Sequence, residues 1–230
     1  MQTLTAVAHR GDPYRARENT LPSLRSAFAA GADAVETDVR LTRDGVPVLL
    51  HDETLSRLWG HDRPLAQLSA AEVRGLTGGG VPTLAEALAA TPGRRLLLDL
   101  PGASAQAART VVGTVHDCGA AERVSYCAGP RTMARVREAD PAAELALTWT
   151  TLAPVRPAVI EELRPRWLNY RFGLLSRDLV ARIHRDGLLV SAWTPDTRRT
   201  MRRLLDLGVD AITTNRVDVL LTLRTQAART

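Results

Sequence analysis

The chain has 230 residues, of which 45% are hydrophobic and 24% are charged, a composition typical of a folded globular protein and not of a disordered or disulfide-rich one. Its basic residues are all arginines, which give a formal net charge of +5, and only 4% of the residues are aromatic. Because the arginines are mixed with acidic residues and no run of stacking aromatics accompanies them, we expect no nucleic-acid-binding surface.

The two cysteines and the hydrophobic pattern favour an intracellular setting. Cys118 and Cys127 match no zinc or redox spacing, so we expect them to be reduced and partly buried. No apolar run is long enough to span a bilayer, and the first residues reach Arg10 too early for a signal-peptide hydrophobic region. We therefore expect a cytoplasmic protein without stable membrane insertion, and the sequence leaves its oligomeric state open.

Short apolar runs alternate with longer amphipathic stretches along the chain, a pattern typical of βαβ units around a parallel sheet. The predicted strands are Leu4 to Ala8, Ala34 to Val39, Leu96 to Asp99, Val124 to Tyr126, Glu144 to Leu147, Trp167 to Asn169, Leu188 to Trp193 and Ala211 to Thr214. The predicted helices are Leu21 to Ala30, Leu84 to Ala90, Ala103 to Cys118, Pro130 to Ala139, Pro157 to Leu163, Arg177 to Arg185, Thr197 to Leu207 and Val217 to Arg224. Eight alternating units predict an α/β fold, a single (β/α)8 TIM barrel over residues 1–230.

One stretch, residues 46–82, interrupts this alternation after the second predicted strand. It contains a predicted short strand (Val46 to Leu50), a predicted loop (Gly60 to Pro64) and a capped segment that begins near Ser69. The stretch is too long for an ordinary strand-to-helix loop, and it leaves the barrel at the face where such barrels carry their active sites. We therefore predict a small inserted segment that lies over the active-site face.

Acidic and histidine residues are concentrated where the predicted strands end. Glu36 and Asp38 are two residues apart on one strand, so their side chains share a face, and Asp99 ends the neighbouring strand. Carboxylates brought together in this way are ligands for a hard divalent cation such as Mg²⁺ or Ca²⁺; the alternative is a set of solvated charges. His9 and His51 flank the acidic residues in sequence, and imidazole can act as base or acid near neutral pH.

The order and spacing of these residues resemble the glycerophosphodiester phosphodiesterase family. The motifs that carry the resemblance are His9-Arg10-Gly11, Glu18-Asn19-Thr20, Glu36-x-Asp38, Thr42-x-Asp44-Gly45, His51-Asp52, Val81-Pro82-Thr83-Leu84, Trp193-Thr194 and Gly208 to Thr214. They cover nearly the whole chain, and the set is specific although each motif alone is weak.

The resemblance implies a metal-dependent phosphodiesterase that cuts a small-molecule glycerophosphodiester to glycerol 3-phosphate and an alcohol. It implies that His9 and His51 are the acid/base pair, that Arg10 contacts the phosphate, and that the cation is held by Glu36 and Asp38.

Further residues are expected to support the site. Asp99 is the natural third metal ligand, Glu18 and Asn19 are expected to shape the first loop, and Trp193 is expected to form an apolar wall for the substrate. Purely structural roles remain the alternative for Glu18, Asn19 and Trp193.

Two strand ends depart from the family pattern. The family usually has Glu-x-Lys where this chain has Asp99-Leu100-Pro101, so a phosphate-binding cation is missing, and the last strand ends in Asn215-Arg216-Val217 where Asp and Pro are usual. Arg216 or Arg171 could supply the missing charge. The sequence thus leaves two alternatives open beside the leading one: a lysophospholipase D-type lipid phosphodiesterase, and a barrel that binds a phosphodiester without useful turnover.

Overall fold

A computed structural model describes residues 4–227, and its elements alternate regularly along the chain. In chain order they are β1 (Thr5–His9), α1 (Leu21–Ala29), β2 (Ala34–Leu41), β3 (Pro47–Leu49), β4 (Thr54–Leu55), α2 (Ser56–Trp59), β5 (His61–Pro64), α3 (Ala70–Thr77), α4 (Leu84–Ala90), β6 (Arg95–Asp99), α5 (Ala105–Asp117), β7 (Val124–Ala128), α6 (Pro130–Ala139), β8 (Glu144–Trp149), α7 (Pro157–Leu163), β9 (Trp167–Arg171), α8 (Arg177–Arg185), β10 (Leu189–Trp193), α9 (Arg198–Leu207), β11 (Ala211–Thr214) and α10 (Val217–Ala227).

The predicted (β/α)8 barrel is confirmed. Parallel strands pair in the order β1, β11, β10, β9, β8, β7, β6 and β2, and a further pairing of β1 with β2 closes the cylinder. Each strand is buried against the helices on its outer side, and the large hydrophobic core lies between these two layers. A smaller cluster that includes Val7, Leu97 and Ala146 fills the inside of the barrel, so the cylinder is a packed core with an open mouth.

The predicted elements are found with shifts of a few residues at their ends. The first strand is Thr5–His9 and not Leu4 to Ala8. Its pairing starts with Thr5 opposite Ala211 of the last strand and continues to His9 opposite Glu36 of β2. The predicted helix from Ala103 begins at Ala105, because Ser104 caps it: its hydroxyl accepts the backbone N–H of Ala107.

Residues 46–82 form a compact segment that begins at the carboxyl end of β2. Its strand β3 pairs antiparallel with the end of β2, and its own small apolar cluster contains Val48, Leu55, Leu65 and Val73 among others. The prediction of a loop from Gly60 to Pro64 was wrong, since His61–Pro64 forms a short strand against Thr54–Leu55. Helix α3 starts with a capping box between Ser69 and Glu72.

None of the described helices has the length and apolar character that a bilayer crossing requires.

Candidate active site

A cavity of about 240 Å³ opens at the mouth formed by the carboxyl ends of the barrel strands. The side chains that line it include His9, Glu36, Asp99, Thr148, Asn169 and Trp193. Four of these, on β1, β2, β6 and β10, are residues that the sequence analysis singled out. The remaining predicted site residues do not line the cavity but are linked to it by the contacts described below; they are Arg10, Glu18, Asn19, Asp38 and His51.

Three carboxyl groups meet on one side of this mouth. Glu36 and Asp38 lie on β2, and Asp99 pairs in register with Asp38 on the adjacent strand β6. One oxygen from each can be chosen so that all three lie within 4.8 Å of one another. Glu36 and Asp38 are only 5% and 1% exposed, so water screens their mutual repulsion poorly.

This crowding changes the acidity of the cluster. Burial, with the charges of Asp38 and Asp99, raises the pKa of Glu36 well above its usual range. Burial and the charge of Asp38 raise the pKa of Asp99 to about 7. A small oxygen-only cluster that resists losing all its protons is suited to a divalent cation, which would relieve the repulsion between the ionised groups.

The loop between β1 and α1 fixes the position of the Asp38 side chain through an ion pair and a hydrogen bond. Arg10 Nε lies 3.1 Å from Asp38 Oδ2, and Asn19 Nδ2 donates to the same oxygen at 2.8 Å. The side-chain oxygen of Asn19 accepts hydrogen bonds from the Thr37 hydroxyl at 2.5 Å and from the Asp38 backbone N–H at 3.2 Å. Asn19 therefore ties the first loop to β2 and its carboxylates.

Arg10 and Asn19 have positive φ angles of 57° and 56°, which L-residues adopt at some cost in energy. Gly11 between them is required, since a Cβ there would lie 2.2 Å from Ser23 Oγ. The tight turn brings the Arg10 backbone N–H within 3.1 Å of Glu36 Oε2. The His-Arg-Gly sequence thus bends the chain over both β2 carboxylates.

His9 is held in one tautomer by a chain of polar contacts from the last strand. Its Nδ1 lies 2.8 Å from Asn215 Oδ1, and the Asn215 side-chain nitrogen donates to Asp196 Oδ2 at 2.8 Å. Because an ionised carboxylate only accepts, the Asn215 amide must present its oxygen to His9, so Nδ1 carries the proton. In the neutral ring Nε2 then has a lone pair, 3.8 Å from Glu36 Oε2.

The environment of His9 also favours its neutral form. Burial, and then the positive charge of Arg10, lower the pKa of His9 despite the opposing effect of the Asn215 hydrogen bond. A neutral imidazole with an available Nε2 can accept a proton at neutral pH.

His51 follows β3 in the inserted segment, and its side chain is 43% exposed; it lies close enough to Asp99 for its charge to act on that carboxyl group. Its Nδ1 lies 2.7 Å from Asp52 Oδ1, and Arg57 Nε donates to the other oxygen of Asp52 at 2.6 Å. The hydrogen bond from Arg57 lowers the pKa of Asp52 to about 2, so Asp52 stays ionised and orients the His51 ring.

Arg57 connects this histidine to the rest of the site. Its Nη2 donates to Glu18 Oε1 at 2.7 Å, and Arg10 Nη1 donates to the same oxygen at 3.0 Å. Burial acts against ionisation of Glu18, but the hydrogen bonds and charges of Arg57 and Arg10 outweigh it and lower its pKa. Glu18 therefore joins the inserted segment, which carries His51, to the first loop and Asp38.

Several residues of this site were assigned no role from the sequence. Asn215 and Asp196 lie near strand ends, and this position could have marked them as candidate site residues. Arg57 lies in a stretch without any motif. Thr148 and Asn169 line the cavity from β8 and β9 and also escaped notice.

The two cysteines are unpaired: Cys118 is exposed, contrary to the expectation of partial burial, and Cys127 is buried.

Where the resemblance implied a phosphate-binding lysine, the uncharged residues Pro101 and Gly102 line the cavity. Arg216 does not reach into this space: its guanidinium pairs with Asp218 at 3.2 Å and lies 5.0 Å from the centre of the Tyr14 ring. Arg171 is exposed at the end of β9 and is not among the residues that line the cavity.

Comparison with known proteins links this geometry to one family. Residues 9–219 match the model of the glycerophosphoryl diester phosphodiesterase family. The Mycobacterium tuberculosis protein named "Probable glycerophosphodiester phosphodiesterase 2" is 34% identical over an alignment 236 residues long. The alignment covers 94% of this chain and 88% of that relative.

Solved structures agree in fold over nearly the whole chain. A glycerophosphodiester phosphodiesterase from Parabacteroides distasonis superposes with a TM-score of 0.85 at 25% identity and covers 99% of both chains. A phosphodiesterase from Oleispira antarctica, solved in complex with the product sn-glycerol-3-phosphate, superposes with a TM-score of 0.86 at 23% identity and covers 96% of both chains.

Proposed function

Because the chain belongs to the glycerophosphoryl diester phosphodiesterase family, whose members are phosphodiester hydrolases, we propose that it hydrolyses small glycerophosphodiesters to glycerol 3-phosphate and an alcohol. One observation carries the proposal. A single cavity is lined by His9, held with Nε2 free, and by two members of a buried three-carboxylate cluster. A phosphodiester needs both parts, a proton acceptor for the attacking hydroxyl and a centre that neutralises the phosphoryl oxygens.

The residues present fit a divalent cation. Glu36, Asp38 and Asp99 would hold it, and an oxygen-only donor set favours Mg²⁺ or Ca²⁺ over softer metals. Asp99 is one methylene shorter than the family glutamate, but its carboxylate lies within reach of the other two. When bound, such an ion supplies positive charge that stabilises the phosphoryl oxygens as the reaction proceeds.

The two histidines divide the proton transfers in this proposal. His9 Nε2 accepts the proton of the attacking hydroxyl, which belongs either to water or to the substrate's own glyceryl group through a cyclic phosphate. His51 Nε2 donates a proton to the leaving alkoxide oxygen, while Asp52 holds its Nδ1–H. The contact between Arg57 and Glu18 keeps the inserted segment close to the first loop, which keeps the second histidine near the mouth.

Arg10 and Trp193 complete the substrate contacts. Arg10 Nη1 donates to Glu18, and Arg10 Nε lies 3.1 Å from Asp38 Oδ2 as an ion pair without hydrogen-bond geometry. Its Nη2 has no hydrogen bond to the described residues and is available to contact a phosphoryl oxygen. Trp193 lines the cavity from β10 and offers an apolar wall for the carbon chain of the substrate.

The experiment is an assay for glycerol 3-phosphate release from glycerophosphocholine and glycerophosphoethanolamine with Mg²⁺, Ca²⁺ or EDTA. We expect cation-dependent release that is lost in His9→Ala and retained in His116→Gln, a matched control whose ring lies outside the barrel against Asp140.

Other outcomes separate the alternatives. Choline release from lysophosphatidylcholine, with little release from glycerophosphocholine, would favour the lipid phosphodiesterase. Folded protein that binds the cation and the phosphodiester but releases no product would favour the binding-only barrel, whose support is Pro101 in place of a cationic side chain.

A further inference from the structure

The wall of the cavity opposite the catalytic residues carries a polar pair with unused hydrogen-bonding capacity. Asn169 on β9 and Thr148 on β8 are in-register neighbours, and both line the cavity. Asn169 Nδ2 donates to Thr148 Oγ1 at 3.1 Å. The Asn169 side-chain oxygen is buried and has no partner among the described residues.

An acceptor left in this state is costly unless a ligand satisfies it. Asn169 is only 6% exposed, and a buried carbonyl oxygen without a hydrogen-bond partner destabilises the protein. Since Thr148 Oγ1 accepts from the amide, its own O–H remains able to donate. The pair therefore presents one acceptor and one donor side by side, which is the complement of an alcohol hydroxyl group.

The order of strands places this pair across the mouth from the catalytic residues. Going round the barrel from β1 through β2, β6 and β7 leads to β8, so Thr148 lies on the strand opposite His9. By the same order β9, with Asn169, lies opposite β2, which carries Glu36 and Asp38. A phosphodiester that fills the cavity with its phosphate at the carboxylates and His9 would extend one of its two arms toward this pair.

The chemistry of the pair selects that other end. A hydroxyl group both donates and accepts, so it can bind the free end of the Asn169 amide together with the Thr148 hydroxyl, whereas a trimethylammonium group has neither a donor nor an acceptor for either residue. Trp193 Nε1 on the adjacent strand is a second buried polar atom without a partner among the described residues, and it is a donor. An uncharged polyol hydroxyl satisfies all of these groups.

We propose that Asn169 and Thr148 bind the terminal hydroxyl of the substrate's glyceryl group, and so select glycerophosphodiesters over other phosphodiesters. This inference rests on the proposed function, which it deepens by assigning substrate recognition to the β8–β9 wall. The two residues position and select the substrate and take no part in proton transfer.

The test is a cycle of two enzymes and two substrates. Glycerophosphocholine is compared with the phosphocholine ester of propane-1,2-diol, which retains the hydroxyl next to the phosphoester carbon but lacks the terminal one. We expect the wild-type protein to prefer glycerophosphocholine in kcat/KM by about 10- to 100-fold, the range for one buried hydrogen-bonded hydroxyl. Asn169→Leu should reduce this ratio to near one, chiefly by lowering kcat/KM for glycerophosphocholine.

Two further variants guard against a merely structural effect. Thr148→Val should reduce the same ratio in part. Ser191→Ala should leave it unchanged, since Ser191 is the buried in-register neighbour of Asn169 on β10 but lies toward the other end of the barrel, in a separate cavity. Binding of sn-glycerol 3-phosphate and of propane-1,2-diol 1-phosphate, measured by calorimetry, should show the same loss of preference in Asn169→Leu.

The outcomes separate the inference from the function on which it rests. If the wild-type protein cleaves both substrates and Asn169→Leu loses the same factor on each, the inference is overturned while the proposed function stands. If the wild-type protein cleaves neither substrate with any cation, the proposed function fails and the inference fails with it.

Discussion

Replacement of Asp99 by asparagine tests the physical basis of the carboxylate cluster without relying on catalysis. Asp99 faces Asp38 across the β2–β6 pairing, and burial together with the charge of Asp38 raises its pKa to about 7 from an ordinary value of 3.8. Asp99→Asn keeps nearly the same shape but removes one charge. We expect the cation-free variant to be more stable than the wild-type protein at pH 8, where the wild-type carboxyl group is ionised.

The pH dependence of this gain follows from proton linkage. A folded-state pKa above the unfolded value means that the native state binds the extra proton, so this contribution to stability is complete below about pH 3.8 and is lost as pH rises through about 7. Between pH 5.5 and 7 the native protein retains a proton that the unfolded chain has released. At 1.36 kcal/mol per pH unit the wild-type protein should lose about 2 kcal/mol relative to Asp99→Asn over this interval.

Urea unfolding at pH 5.5 and 8, in EDTA and in excess Mg²⁺ or Ca²⁺, measures the effect. Subtracting the variant's free energy of unfolding from that of the wild-type protein at each pH removes every titrating group except those coupled to Asp99. A cation that binds the three ionised carboxylates should stabilise the wild-type protein at pH 8 and stabilise the variant much less. Parallel pH profiles in EDTA, together with equal stabilisation of both proteins by the cation, would refute the reasoning.

Three further predictions concern individual contacts of the site. Asn215→Leu removes the acceptor that fixes the His9 tautomer, and we expect kcat to fall about a hundredfold with little change in cation binding; an unchanged kcat would contradict this role. Arg57→Met removes the hydrogen bond that holds Asp52, so we expect kcat to fall about tenfold. Because Asp52 orients the His51 ring, NMR should show a more mobile ring in this variant. Pro101→Lys adds a cation to the cavity wall and should raise kcat/KM about tenfold; no gain would show that the missing charge is already compensated.

Much of the fold could be predicted from the sequence because the determinants are local. Each buried strand of the barrel is a short apolar run, and several helices begin at a residue such as Thr20 or Thr83, whose hydroxyl caps the first turn. The two-residue spacing of Glu36 and Asp38 predicted a shared face, since side chains alternate along a strand. Their approach to Asp99 also followed, because parallel strands of a barrel end at the same mouth.

Contacts between distant parts of the chain were decided only by the tertiary structure. His9 and Asn215 are 206 residues apart, and no local pattern states which strand-end amide will meet which imidazole. Arg57 bonds Glu18 from 39 residues away, so its role depends on how the inserted segment folds back over the first loop. The strand His61–Pro64 formed where polar, turn-like residues predicted a loop, because pairing with Thr54–Leu55 stabilises it.

The sequence by itself thus determined the barrel and the group of acidic and histidine residues at its strand ends, namely His9, Glu36, Asp38 and Asp99. The opposite wall was decided by closure of the barrel, which brings Thr148 and Asn169 face to face with His9 and Glu36 in one cavity. The physical reason is that a motif consists of residues close in sequence. Whether a buried oxygen such as that of Asn169 has a hydrogen-bond partner depends instead on residues that are distant in sequence and close in space.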